Sequence, residues 1–214
     1  MSYLLHIDSS ALGSASVSRQ VGHSFRAGWP GEVVHRDLAA SPVPHLTEAG
    51  ISARVTDRDR HTPEQAAAVA LQDELIAEFL AARAYLFTVP MYNWSMPSVF
   101  KAWLDQIMVI GRTLDFDNGP ASAGRPAVLI SARGGGYGPG AALHGKDFVV
   151  PALQAILGDS HTLGLDVTAL TPELTYAPIL PALAGLIPRH RASLTDAHQQ
   201  ARRQAEEITL RLAG

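Results

Sequence analysis

Three short stretches of this 214-residue chain concentrate side chains and backbone able to do chemistry. The first, Asp8-Ser9-Ser10-Ala11-Leu12-Gly13-Ser14-Ala15-Ser16-Val17-Ser18, places five serines just before a helical periodicity. Hydroxyls and free N–H groups at a helix N-terminus suit a phosphate monoester. The same serines would serve as ordinary N-caps, and both readings stand on the loop alone. The second, Pro90-Met91-Tyr92-Asn93-Trp94-Ser95-Met96-Pro97, groups two aromatic rings, an amide and two sulfurs after an apolar run. It could form a platform for a flat ring, or merely plug the end of a sheet. The third, Ser131-Ala132-Arg133-Gly134-Gly135-Gly136-Tyr137-Gly138-Pro139-Gly140, lets main-chain N–H groups approach a ligand, or makes a mobile turn.

Other chemistries lack their residues. No GxGxxG follows a strand, which counts against an ordinary dinucleotide fold, and no GxSxG elbow is present. Gly140 to Lys146 matches GxxxxGK, but Asp147 stands where a P-loop needs Ser or Thr, and a glycine loop separates it from the strand. The chain has no cysteine, which excludes disulfides and thiolate ligands. Its nine histidines show no HExxH or HxH spacing, so no metal site is expected, and His6 fits as a hydrogen-bonded core residue. A net charge of −3 without basic stripes argues against nucleic acid as a partner. No apolar run approaches the roughly 20 residues of a membrane helix, and the start lacks a basic leader, so a cytoplasmic protein is expected.

The elements that position these loops follow from periodicity. Short apolar runs at 3–7, 84–89, 127–132 and 165–170, with a weaker one at 32–36, read as buried strands. Helices are expected from near Ser16, from Pro63 behind a Thr62/Gln65 capping box, from Pro97, over about 144–157, and along Ala197, Ala201, Ala205, Ile208 and Leu212. Residues 39–62 lack periodicity and read as an excursion. Strands alternating with helices imply right-handed βαβ crossovers. The expectation is one α/β domain over 1–214, a doubly wound five-stranded parallel sheet of order 2-1-3-4-5 with helices on both faces. Its ligand belongs at the carboxyl ends of the strands, where the three loops lie.

With the loops in place, the chain resembles the FMN-dependent NADH:quinone oxidoreductase and azoreductase family. The resemblance rests on Pro90-Met91-Tyr92-Asn93 with Trp94, then Lys101 to Asp105, Asn118-Gly119-Pro120 and Arg133-Gly134-Gly135, in the family's order and spacing, with the serine loop ahead of them. It implies a flavodoxin-like homodimer binding non-covalent FMN, with the sites at the dimer interface. Ser10, Ser16, Val17 and Ser18 would hold the phosphate. Pro90, Met91, Tyr92, Asn93 and Trp94 would line the isoalloxazine, with Ala132, Arg133, Gly134 and Gly135 on its other side. Phe116 would correspond to an aromatic residue covering the active site, and Asn93 is the choice for orienting the ring edge. The implied reaction is ping-pong, two-electron hydride transfer from NADH or NADPH to a quinone or azo compound. The chain departs from the family at Ala132, usually Ser, and at 156–161, which lacks the aromatics that roof the flavin. It departs again in the proline-rich 172–190 stretch. A flavodoxin-like electron carrier is the alternative, although such carriers tend to be strongly acidic; a flavin-free interaction module on the same scaffold is another.

Overall fold

The computed structural model describes residues 3–214. Five apolar runs become strands β1 (Leu4–Asp8), β2 (Val33–Asp37), β3 (Ala84–Thr88), β4 (Pro126–Ile130) and β5 (Asp166–Leu170). All neighbours pair in parallel, in the order β2-β1-β3-β4-β5. That is the expected flavodoxin-like order, with β1, β3 and β4 innermost. Helices α1 (Val17–Ala27), α2 (Glu48–Ser52), α3 (Pro63–Ala81), α4 (Ser98–Ile107), α5 (Val150–Gly158) and α6 (Ile187–Ala213) fill the connections.

Strand side chains alternate between faces, which divides the core in two. Leu5, Ile7, Tyr85, Phe87 and Leu129 pack against α3, α4 and α5. Leu4, Leu86 and Val128 pack against Val21 and Phe25 of α1 and the alanine stripe of α6. Small residues let those two helices approach: a Cβ on Gly28 would stand 3.2 Å from the Ala205 methyl.

The helix starts follow local chemistry. Thr62 Oγ1 accepts from Gln65 N and Gln65 Oε1 from Thr62 N, the reciprocal box foreseen. α5 begins later than its periodicity predicts, because Gly145 has φ +78° and Asp147 accepts from the amides of Val149 and Val150. The 39–62 excursion contains α2 and two 3₁₀ turns. Among the described residues, no helix is long and apolar enough to cross a membrane.

α1 must come close to the sheet where it leaves the first loop, and Gly22 permits it. A Cβ there would lie 2.8 Å from Thr88 Cγ2. Alanine is the better helix former by about 1 kcal/mol, yet the clash should outweigh it at about 1–3 kcal/mol. Gly22→Ala is expected to lower the melting temperature by a few degrees, read by calorimetry. A melting temperature at or above wild type would show that the helix has room to spare.

Candidate active site

Because β1, β3 and β4 are neighbours, the loops leaving their carboxyl ends meet. Hydrogen bonds stitch them together. Ser9 Oγ donates to Thr88 O (2.9 Å), and Met91 N donates to Ala132 O (3.0 Å). The Tyr92 hydroxyl bonds Ser10 Oγ (3.1 Å) and accepts from Ala11 N (3.0 Å), so this ring braces the serine loop. Ser18 is fully buried, and its Oγ accepts from Ala132 N at 3.1 Å. Its hydroxyl therefore ties the first loop to the third.

Beneath the serine loop lies a buried ionic network not apparent from sequence. Asp8 is 3% exposed at the end of β1. Arg19 grips Asp37 with both terminal nitrogens (2.6 and 2.7 Å), donates to Asp8 Oδ2 (3.2 Å) and donates to the main-chain oxygen of Ser10 (2.7 Å). The Thr88 hydroxyl and His35 Nε2 also donate to Asp8. Burial alone would raise the Asp8 carboxyl, but the His35 and Thr88 hydrogen bonds and the adjacent His6 hold it well below the usual carboxylate range. Burial pushes the His6 imidazole down. His6 Nε2 stands 3.3 Å from Asp8 Oδ1 and its ring stacks on His35, a contact without a well-aligned hydrogen bond. His6, Asp8 and His35 could each offer one metal-ligand atom within 4.8 Å of the others. Asp8, however, is already engaged by Arg19, Thr88 and His35. The network's role is to fix the path of residues 8–10.

The second loop turns sharply. Tyr92 and Ser95 exchange both main-chain hydrogen bonds (2.8 and 2.9 Å) around Asn93 (φ +50°) and Trp94 (φ +66°). Two successive non-glycine residues in the left-handed region carry a strain of order 1 kcal/mol each, a feature that clusters at functional sites. The strain leaves the Asn93 and Trp94 amides without a partner among the described residues. Trp94 is 48% exposed, with Lys146 of the GxxxxGK look-alike 5.6 Å from its ring centroid.

The third loop is welded to the segment leaving β5. Arg133 N donates to Pro172 O; Leu174 N, Thr175 N and Tyr176 N donate to the carbonyls of Gly135, Arg133 and Gly134. The Arg133 guanidinium pairs with Asp147 (2.5 Å) and Glu173 (2.6 Å), so its charge is spent on holding the loop. Glu173 also accepts from Tyr137 N (3.0 Å). The amides of Gly134, Gly135 and Gly136 take no partner among the described residues.

Two cavities open between these loops. The larger, about 590 Å³, is lined by Met91, Asn93, Trp94 and the three unpartnered glycines, with Leu143, which packs on Gly135, and Leu186. The smaller, about 120 Å³, is lined by Ser10, Ser16, Val17, Pro90, Tyr92 and Ala132. It lies at the N-terminus of α1, where the Val17 and Ser18 amides are free and Ser16 Oγ accepts from Arg19 N (3.4 Å). The structure thus gathers most of the residues singled out from sequence along one crevice. Three do not line either cavity: Arg133, whose side chain is held by Asp147 and Glu173, Ser18, fully buried with its hydroxyl on Ala132 N, and Phe116, 58% exposed in a turn after α4. Sequence reasoning missed Arg19 and Asp37, and also Tyr176, which borders both cavities. Only Asp8, an acidic residue ending a buried strand, hinted at the network.

Comparison with known proteins agrees with this architecture. A family model described as "Flavodoxin-like fold" matches residues 2–172. FMN-dependent NADH:quinone oxidoreductases of Streptomyces avermitilis and Streptomyces coelicolor are each 43% identical, over 100% of both chains and over 99% and 97% respectively. Among solved structures, an azoreductase from Bacillus anthracis superposes with a TM-score of 0.81 at 22% identity, covering 97% of this chain and 100% of its own. An FMN-dependent NADH-azoreductase from the same species, in complex with FMN, gives 0.80 at 21% identity, covering 97% and 99%. On the identity shared across its whole length with the Streptomyces enzymes, the chain belongs to the FMN-dependent NADH:quinone oxidoreductase family.

Proposed function

We propose that this protein is an FMN-dependent oxidoreductase that takes electrons from NADH or NADPH and delivers them to quinones or azo compounds. One observation carries the reading: the unpartnered main-chain amides fall into two groups along one crevice. Val17 and Ser18 supply the first group, at a helix N-terminus beside Ser10 and Ser16, where a dianionic phosphate is stabilised. Asn93, Trp94, Gly134, Gly135 and Gly136 supply the second, around a cavity of a size suited to a flat ring edged with hydrogen-bond acceptors. The donor set fits FMN end to end.

Bound FMN would supply the two-electron chemistry, receiving a hydride from the nicotinamide and passing the reducing equivalents to the acceptor. The rest falls to the chain. Asn93, whose side-chain amide has no partner among the described residues, orients the ring edge. The free amides of the second and third loops, held in place by the strained turn and the β5 ladder, would donate to a bound anionic ring edge with little reorganisation. Nicotinamide and acceptor share the larger cavity in alternation, which makes the kinetics ping-pong. No side chain is required as acid or base for the first half-reaction.

We further read the active form as a cytoplasmic homodimer. Phe116, Ile110 and Val55 leave large apolar side chains exposed, a surface suited to a second copy, and Phe116 would then cover the partner's crevice. Cytoplasm is the compartment that supplies reduced nicotinamide nucleotides. The electron-carrier alternative has no comparable support, because a carrier has no use for an open cavity beside the ring.

The direct test is a visible spectrum of the purified protein with FMN, before and after anaerobic NADH, followed by NADH oxidation with menadione. Bleaching by NADH and turnover with menadione are expected; a flavin spectrum that NADH leaves unchanged would favour the carrier. Ser16→Ala should weaken FMN about tenfold while leaving riboflavin, which lacks the phosphate, unaffected, as fluorescence titration would read. Asn93→Ala should lower flavin affinity or kcat with the far-ultraviolet dichroism unchanged. Wild-type values for both would remove Asn93 from the site.

A further inference from the structure

The two cavities that together fit FMN meet along a border lined by Met91, Gly134 and Tyr176. Its ring lies flat on Gly134, so close that a Cβ there would come within 2.5 Å of both Cδ2 and Cε2. The same ring borders the phosphate-side cavity, with Thr175 and Ile179, and the ring-side cavity, with Leu174 and Leu183. It is 55% exposed, and its hydroxyl has no partner among the described residues. An aromatic ring half in water and bonded to nothing is not held there for the core.

Its backbone is nonetheless held tightly. Leu174 adopts φ +59°, a left-handed turn that brings the following residues back over the glycine loop. Tyr176 N donates to Gly134 O (3.2 Å), and Tyr176 O accepts from the amides of Ile179 (3.0 Å) and Leu180 (2.9 Å). Position is thus fixed at Cα by main-chain hydrogen bonds, while the ring is held only by packing on Gly134. This segment belongs to the proline-rich stretch that departs from the family pattern.

Resting on the FMN reading above, we infer that Tyr176 is a cofactor-positioning residue: its ring clasps the sugar-alcohol linker of the cofactor where that linker crosses from the serine loop to the glycine loop. A ligand with its phosphate at Ser16 and its ring at Asn93 crosses the border that Tyr176 shares with Met91 and Gly134. The ring must swing off Gly134 for loading, and it then covers the linker from the solvent side. Its apolar body does this work, and the hydroxyl is dispensable. The consequence is retention of the cofactor, set by the release rate.

Truncated cofactors test this directly. Tyr176→Ala should weaken FMN and riboflavin, which both carry the linker, by about tenfold, chiefly through faster release, and leave lumiflavin, which lacks it, unchanged. Tyr176→Phe should match wild type for all three. Binding is read by flavin fluorescence and release by stopped-flow dilution; circular dichroism checks the fold, with Tyr176→Leu as the substitute if the alanine variant does not fold. Equal losses for lumiflavin and FMN, or wild-type release of FMN from the alanine variant, would overturn the clasp. Failure of wild type to bind any flavin would instead sink the functional reading, and the clasp with it.

Discussion

A main-chain N–H with no protein partner must face water or a ligand, and this molecule keeps two groups of them along one edge of its sheet, with Asn93 and Trp94 exposed and Gly134, Gly135 and Gly136 half-buried. The whole carboxyl end of the fold is organised so that they stay unpartnered. Ser18 spends its hydroxyl on Ala132 N, Glu173 takes Tyr137 N, and Pro172 O takes Arg133 N, so neighbouring amides are satisfied while those facing the crevice are not. The left-handed pair Asn93–Trp94 does the same by geometry, turning its amides outward at a conformational cost that packing below must cover.

That cover is charged as well as apolar. Arg19 joins Asp8, Asp37 and the Ser10 carbonyl into one buried assembly. Such pairs add little net stability relative to a well-packed apolar core, but removing one member leaves a charge stranded at a cost of about 3–5 kcal/mol. The network therefore specifies a shape. It fixes where the first loop leaves the sheet, and hence where the α1 N-terminus points. Arg133, with Asp147 and Glu173, performs the equivalent task for the third loop. Each of the outer two loops is thus anchored by an arginine whose positive end never reaches the crevice.

Most of this fold was legible because β1, β3 and β4 are short and buried throughout, and because Pro63 and Pro97 punctuate the helices where they should. The loops were legible because their residue types are wasteful in any other role. What escaped depends on register and on irregular backbone. Asp8 meets Asp37, and His6 meets His35, only because β1 and β2 pair in that alignment, which no local pattern reveals. Tyr176 sits in a segment without periodicity, and its partnership with Gly134 arises from a ladder beyond the last strand residue. α5 starts at Val150 rather than near 144 because Gly145, in the left-handed region, and Asp147, accepting from the amides of Val149 and Val150, fold the preceding residues into a turn.

The ladder between the third loop and residues 172–176 divides the larger cavity into two kinds of wall. Glycine backbone, its welded neighbour and Leu143 packed on Gly135 form one; Leu183 and Leu186, which carry no part of the ladder, form the other. Substitutions at those two leucines can reshape the cavity without touching the hydrogen bonds that hold the glycine loop. Drift in what the cavity admits is thereby decoupled from how its glycine wall is held in place.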